Sequence, residues 1–429
     1  MTRVARAAAA MLLALPITPR TIWAQTIAIV GGKVYPVSAP PIENGTVLIR
    51  DGRIVAVGAA VAVPAGAQRI DASGKVVTPG FVNGATLLGL EEIGSVLTTR
   101  ENVARGHDRI APAFRPWEGL NPRSVLLGAT RDAGVTSFVV MPSGGMISGQ
   151  AAILRLVNGG VSDMLLRGPV GMVANLGPPD SRDAPPRAET LTRLREILED
   201  TRVYRSRRAD YELARTRTLV PSRIDMDALI PVLEGRVPLL VRVNRASDIE
   251  TAMRIAREFG IRLAITGGAE AWMLADRLAA AKIPVLTGAM SNVPEQFATL
   301  GQRQENAGLL ARAGVPVTLI GNASSGSAEA FNAGNLRYEA GNAVAYGMEW
   351  SAALRAITLT PAETFGVADR VGSLAVGKMA DVVIWSGDPF EFTSRAERVL
   401  VGGVQSNTPS REDLLEARYK TLPPSYRRP

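Results

Sequence analysis

The sequence predicts an α/β fold in which a TIM-type (β/α)8 barrel is inserted in a small β-sandwich formed by both chain ends. Short β-rich runs separated by Gly-containing turns occur near both ends, whereas the long middle alternates strands with helices. The chain has 429 residues, of which 46% are hydrophobic, so it can bury a large core and build two or three domains. These observations exclude a disordered protein.

The first 24 residues have the order of a secretory signal peptide. Arg3 and Arg6 precede the apolar run Ala7–Leu15, and Ala24 is the small residue after which we expect cleavage. The apolar run is shorter than the ~20 residues that a membrane-spanning helix needs. We therefore expect a signal peptide at residues 1–24 and a periplasmic or secreted protein without a membrane span.

Composition excludes several classes of function. The chain has no Cys, which rules out disulfides, thiolate nucleophiles and Cys-based zinc sites. Its formal charge is +8, but the Arg residues are scattered among Asp and Glu and form no basic stripe interleaved with aromatic residues. We therefore expect no nucleic-acid partner.

The chain ends carry the signals of an antiparallel sheet. Gly31-Gly32, Asn44-Gly45 and Asp51-Gly52 separate the N-terminal β-rich runs, and Asn-Gly or Asp-Gly supplies the positive φ angles of a two-residue hairpin turn. We place the N-terminal part of the sandwich at residues 25–78 and the C-terminal part at residues 367–405. The β-rich runs are Thr26–Val30, Val34–Val37, Thr46–Ile49, Ile54–Val57, Asp381–Trp385 and Arg398–Val401.

The middle, residues 79–366, predicts the barrel. Pro238–Val243 is an apolar strand, a helix with Ser247 and Glu250 as a capping box follows, and Gly260 ends that helix before the strand Arg262–Thr266. Strands and helices that alternate with short joints indicate parallel pairing with right-handed crossovers. Residues 406–429 form a polar tail with a short helix at Arg411–Tyr419.

Three motifs resemble the signatures of the amidohydrolase superfamily, especially its exported imidazolonepropionase-like branch. They are Val77–Val82, Thr358–Ala362 and the segment from Gly372 to Asp381. The resemblance implies a barrel with one or two metal ions at the carboxyl ends of its strands. These are held by a His-x-His on strand one, a bridging Lys or Glu, two further His and an Asp on strand eight. Such an ion activates water for attack on an amide or ester.

The sequence departs from this pattern at the expected ligand positions. Ala85 and Leu87 stand where the resemblance places the two imidazoles of strand one, and Asn322 stands where it places the Asp. The middle strands end in Val241–Asn244 and Thr266–Gly268 without a His. The whole chain has one His, His107. We therefore predict no catalytic residue, no metal ligand and no cofactor.

Other chemistry has weaker signals. An oxygen-only metal site would need converging carboxylates, and the candidates Glu91, Glu92 and Glu270 are not joined in an acidic motif. No Gly-x-Ser-x-Gly or Ser-x-x-Lys motif indicates a serine hydrolase. The Gly-rich segment Pro142–Gln150 could present N–H groups to an anion, but it lacks the Lys and the spacing of a P-loop.

We predict a ligand pocket at the mouth of the barrel, formed by Arg242, Asn244, Glu270 and Asn322, because barrel proteins collect functional groups at strand ends. The alternative is that these side chains solvate an abandoned site. The leading hypothesis is an exported, non-catalytic amidohydrolase homologue that binds a small ligand or a metal-competent amidohydrolase partner. Two alternatives stay open: a hydrolase of carbon–nitrogen bonds with an unrecognised site, and a structural envelope protein.

Overall fold

The computed structural model describes residues 26–104, 110–176, 185–294, 296–321, 328–405 and 411–420. The predicted signal peptide, His107 and Asn322 lie outside the described residues. The described strands form two sheets of eight strands each, which we call the terminal sheet and the barrel sheet. The terminal sheet consists of β1 (Thr26–Val34), β2 (Ile42–Arg50), β3 (Arg53–Gly58), β4 (Gln68–Asp71), β5 (Val76–Pro79), β14 (Val382–Trp385), β15 (Ala396–Val401) and β16 (Val404–Gln405).

The barrel sheet and the helices make up the rest. The strands of the barrel sheet are β6 (Phe81–Thr86), β7 (Val135–Val140), β8 (Ile147–Arg155), β9 (Leu165–Asn175), β10 (Leu239–Val243), β11 (Leu263–Gly267), β12 (Val285–Thr287) and β13 (Val317–Leu319). The helices are α1 (Val125–Asp132), α2 (Val161–Met164), α3 (Arg187–Ser206), α4 (Arg208–Glu212), α5 (Arg223–Leu233), α6 (Ala246–Phe259), α7 (Ala275–Ala280), α8 (Asn306–Arg312), α9 (Ala328–Phe331), α10 (Leu336–Ala345), α11 (Trp350–Ala356), α12 (Leu359–Thr364) and α13 (Arg411–Tyr419). None of these helices is both long and apolar enough to cross a bilayer.

Both chain ends build the terminal sheet, as predicted. Its strand order is β16-β15-β14-β5-β1-β2-β3, and the antiparallel pair of β5 with β14 joins the two ends. The hydrogen bonds give one branched sheet in place of the two facing sheets of a sandwich. The branch arises in β1, because residues Ile27–Val30 pair with β4 whereas Lys33 and Val34 pair with β5.

One of the three predicted turns is confirmed. Asp51 and Gly52 have φ angles of 52° and 73° and connect β2 to β3 as a two-residue hairpin. Asn44-Gly45 is not a turn but lies inside β2, where Asn44 takes a φ of 50°. Gly31-Gly32 does not end β1 either, because the register shifts there and the strand continues to Val34. At both sites an irregularity in the strand pairing accommodates the positive φ angle.

The barrel sheet has the order β13-β12-β11-β10-β9-β8-β7-β6, and it differs from a strict (β/α)8 barrel in one strand. β8 is antiparallel to both β7 and β9, whereas every other neighbouring pair in the sheet is parallel. The connection from β7 to β8 explains this. Residues 141–146 suffice for a hairpin but not for the dozen or more residues of a parallel crossover.

The barrel is nearly closed between its edge strands β6 and β13. A Cβ atom on Gly84 of β6 would lie 2.5 Å from Cγ2 of Thr318 on β13, so only glycine permits this approach. The barrel interior is filled by apolar side chains from successive strands. They include Val82, Val139, Val173, Leu240, Ala264 and Leu286.

Helix α6 shows how a helix packs on the outside of the barrel. It buries one apolar face, which includes Ile249, Ala252, Met253 and Ala256, and Gly260 ends it as predicted, with a left-handed φ of 67°. The predicted capping box of Ser247 and Glu250 is wrong, because the N-cap residue is Arg245 and its side chain makes no capping bond. The N–H of Ala246 instead donates to the distant Glu270.

A buried ion pair connects the barrel to the terminal sheet. Arg155, at the end of β8, donates from Nη2 to Oδ1 of Asp381 over 2.6 Å. The same oxygen accepts the N–H of Gly402 at 2.7 Å. The side chains of Arg155 and Asp381 are only 13% and 4% exposed, so this pair is part of the interior.

Candidate ligand site at the barrel mouth

The mouth of the barrel, at the carboxyl ends of its parallel strands, contains a cavity of about 300 Å³. We call it the mouth cavity. It adjoins the ends of β6, β7, β10, β11, β12 and β13, which is where barrel proteins bind their ligands. Its polar lining residues are Thr86, Arg242, Asn244, Thr266, Thr287, Ser291, Asn292, Gln296, Thr299 and Gln302.

Strand geometry explains why Arg242 reaches the cavity. Alternate side chains of a strand point to the same face. Arg242 therefore points to the same side as Leu240, which belongs to the interior core. Arg242 is half-buried, and within the described residues its guanidinium has neither an ion-pair nor a hydrogen-bond partner. Among the described lining residues it is also the one charged side chain. The cavity therefore carries a local positive charge.

Thr266 adds a hydroxyl without a partner to this cavity. It is the fourth residue of β11 and is 4% exposed. Its Oγ1 is buried and makes no hydrogen bond. A buried hydroxyl normally has a partner, so the site has unused hydrogen-bonding capacity next to the Arg242 charge.

Glu270 lies beside the cavity and stabilises its surroundings. Its Oε2 accepts the N–H of Ala246 at 2.9 Å, and its Oε1 accepts the N–H of Gly301 at 3.1 Å. The carboxylate thus connects the first residue of α6 to the segment after β12, and a negative charge at this helix end is favourable. Trp272 is structural as well, since its Nε1 donates to the Gly301 carbonyl at 2.9 Å.

The structure brings two of the four predicted pocket residues together. Arg242 and Asn244 both line the mouth cavity, Glu270 is not among its lining residues, and Asn322 lies outside the described residues. The sequence prediction omitted Thr86, Thr287, Gln296 and Gln302. Thr86 and Thr287 are the last residues of β6 and β12, so the rule that identified Arg242 also applies to them.

The carboxylates considered for an oxygen-only metal site do not converge. Glu91 is buried and lies 3.7 Å from Arg100, measured from Oε2 to Nε. Glu92 accepts hydrogen bonds from Asn121 and Ser124, and Glu270 is held as described above. Across the described ranges, no group of three or more His, Cys, Asp or Glu could hold a metal ion.

Comparison with known proteins finds similarity to amidohydrolases. The family model for the amidohydrolase family matches residues 241–410. A crystal structure of an amidohydrolase from Thermotoga maritima MSB8 superimposes with a TM-score of 0.78 at 27% identity, covering 88% of this chain and 99% of that one. Residues 241–410 of this chain belong to the amidohydrolase family.

Curated relatives match this chain over only part of their own length. Amidohydrolase tasK of Hapsidospora irregularis is 23% identical over 400 residues, which are 84% of this chain and 39% of that protein. A 5-methylthioadenosine/S-adenosylhomocysteine deaminase of Symbiobacterium thermophilum is 49% identical over 63 residues, 14% of either chain. The chain therefore spans about two fifths or less of the length of these relatives.

The metal ions that the family resemblance implies do not fit the donors of this site. Ala85 lines the mouth cavity at one expected imidazole position, and Leu87 is buried at the other. The described lining residues offer neutral hydroxyl and amide groups and one cation. Divalent ions need carboxylates, imidazoles or thiolates to offset their loss of water, and a nearby guanidinium repels them.

Proposed function

We propose that this amidohydrolase-family chain is a non-catalytic homologue that binds a small organic acid in the mouth cavity. One observation carries the proposal: Arg242 is a half-buried cation without a partner in a cavity whose other described lining residues are neutral. A carboxylate would supply the missing counter-charge. Thr266 and Asn244 would then bind neutral polar groups of the same ligand.

The physical argument rests on desolvation. A guanidinium that is withdrawn from water without a counter-ion raises the free energy of the folded protein. A carboxylate can accept two parallel N–H bonds from one guanidinium, which gives both energy and orientation. A ligand of this class therefore gains more at Arg242 than it would at an exposed arginine.

The same lining residues argue against hydrolysis. Attack of water on an amide needs a metal ion or a general base at the reacting atom. Among the described residues that line the mouth cavity there is no carboxylate, imidazole or lysine. We therefore assign binding and not turnover to this cavity.

The test is a titration of purified protein with a panel of organic acids and their neutral amides. We expect at least one acid to bind and its amide to bind at least tenfold more weakly. Arg242→Met should abolish acid binding. Arg254→Met, which removes an exposed arginine of α6, is the matched control and should bind like the parent protein. Equal affinity for acid and amide, or turnover of amides that Arg242→Met eliminates, would refute the proposal.

We also propose that the chain is exported after cleavage at Ala24. The order of charged, apolar and small residues at the N-terminus supports this. Mass spectrometry of the protein from the periplasmic fraction should find Gln25 as the first residue. An uncleaved chain that remains in the cytoplasm would contradict it. Binding to a metal-competent amidohydrolase stays a prediction.

A further inference from the structure

A second cavity, of about 470 Å³, adjoins the mouth cavity at the end of β10. We call it the side cavity. Arg242, Asn244 and Gln296 line both cavities. The two cavities are therefore neighbours that share these three side chains, one of which is the cation that we propose as the carboxylate anchor.

The walls of the side cavity differ in chemistry from those of the mouth cavity. One part of the lining is apolar and includes Ile110, Met146, Val243 and Ala298. Another part is charged. Arg187 and Asp248 form an ion pair of 3.0 Å between Nε and Oδ2, Arg193 pairs with Glu196, and Glu189 and Arg245 add opposite charges. A charged ligand group would have to compete with these groups, whereas an apolar group can cover the apolar wall at no such cost.

We infer that the side cavity is an extension of the acid site and binds the apolar arm of an amphipathic organic acid. This inference rests on the proposed function. The ligand has a polar head with its carboxylate against Arg242 in the mouth cavity, and an apolar chain that passes Asn244 and Gln296 into the side cavity. The amides of Asn244 and Gln296 can bond a neutral polar group where head and arm are joined.

A graded series of ligands tests the inference. Dissociation constants are measured for acetyl-, butyryl-, hexanoyl- and octanoylglycine, which share one head and differ in the apolar arm. Each methylene that enters the side cavity should tighten binding by about fourfold until the cavity is filled. Affinity that does not change with chain length would overturn the extension and leave the acid site standing.

Two tryptophan variants of helix α3 locate the arm. Thr190 is half-buried and lines the side cavity, whereas Ala188, two residues earlier, is exposed and does not line it. Thr190→Trp should remove most of the gain from acetylglycine to octanoylglycine, and Ala188→Trp should retain it. An undiminished gain in Thr190→Trp would overturn the inference. If none of the four acids binds to the parent protein, the proposed function fails together with the extension.

Discussion

Arg155 and Arg242 are both arginines of barrel strands, the first nearly buried and the second half-buried, but their surroundings differ. Arg155 pairs with the buried Asp381 at the junction with the terminal sheet. Arg242, at the mouth, has no such partner among the described residues. At the junction the fold supplies the counter-charge and gains a contact between two units. At the mouth we propose that a ligand supplies the counter-charge, and this difference would separate a structural arginine from a binding one.

Breaking the junction pair should have the largest effect. Asp381→Asn keeps the shape of the side chain but leaves the Arg155 charge unpaired in the interior. We expect the free energy of unfolding to fall by roughly 3–5 kcal/mol, measured by urea denaturation. A loss below about 1 kcal/mol would show that water reaches Arg155 and that the junction is not a buried contact.

Removing the carboxylate next to the mouth should have the second largest effect. Glu270→Ala leaves the N–H groups of Ala246 and Gly301 without their acceptor. We expect a loss of about 2 kcal/mol in the free energy of unfolding. Glu305→Ala, at an exposed ion pair with Arg303, is the control and should cost well under 1 kcal/mol. Equal effects of the two substitutions would remove Glu270 from the support of the site.

When no ligand is present, replacing Arg242 should not lower the free energy of unfolding, in contrast to breaking the pair of Arg155. Arg242→Met removes a cation that has no partner and retains an apolar side chain of similar length. We expect the free energy of unfolding to stay the same or to rise by about 1 kcal/mol. A clear destabilisation would mean that Arg242 already has a stabilising partner in the free protein, and the contrast with Arg155 would fail.

An exposed ion pair gives the smallest expected effect and the baseline for the others. Lys33 and Glu43 approach to 2.8 Å between Nζ and Oε1, with side chains 43% and 70% exposed. Exposed pairs of this kind contribute ~0–1 kcal/mol because water and salt screen them. Lys33→Ala should therefore change the free energy of unfolding by less than about 0.5 kcal/mol. If Lys33→Ala changes the free energy of unfolding by the same amount in 1 M salt, the pair contributes little Coulomb energy.

Local sequence signals predicted those elements whose cause is local. The apolar face of α6 and the end at Gly260 depend on residues within the helix, and Asp51-Gly52 contains its own turn chemistry. The direction of β8 could not be predicted in this way. An apolar strand has the same residue pattern in either direction, and only the short connection at residues 141–146 distinguishes a hairpin from a crossover.

Local sequence signals also predicted only part of the candidate site. Arg242 and Asn244 were predicted because a strand end in a barrel is a position that sequence can identify. The role of Glu270 was not predicted. Its carboxylate accepts hydrogen bonds from Ala246 and Gly301, which lie 24 and 31 residues away along the chain. The position of Gln296 in the lining of both cavities could not be predicted either, because it depends on how the segment after β12 packs.

Calorimetric titration of the purified protein with an organic acid, repeated on Arg242→Met, tests most directly whether Arg242 binds a carboxylate. We expect the parent protein to bind one acid per chain and the variant to bind none, while both unfold at similar denaturant concentrations. Equal binding by the parent protein and the variant would place the acid elsewhere and rule out Arg242 as its anchor.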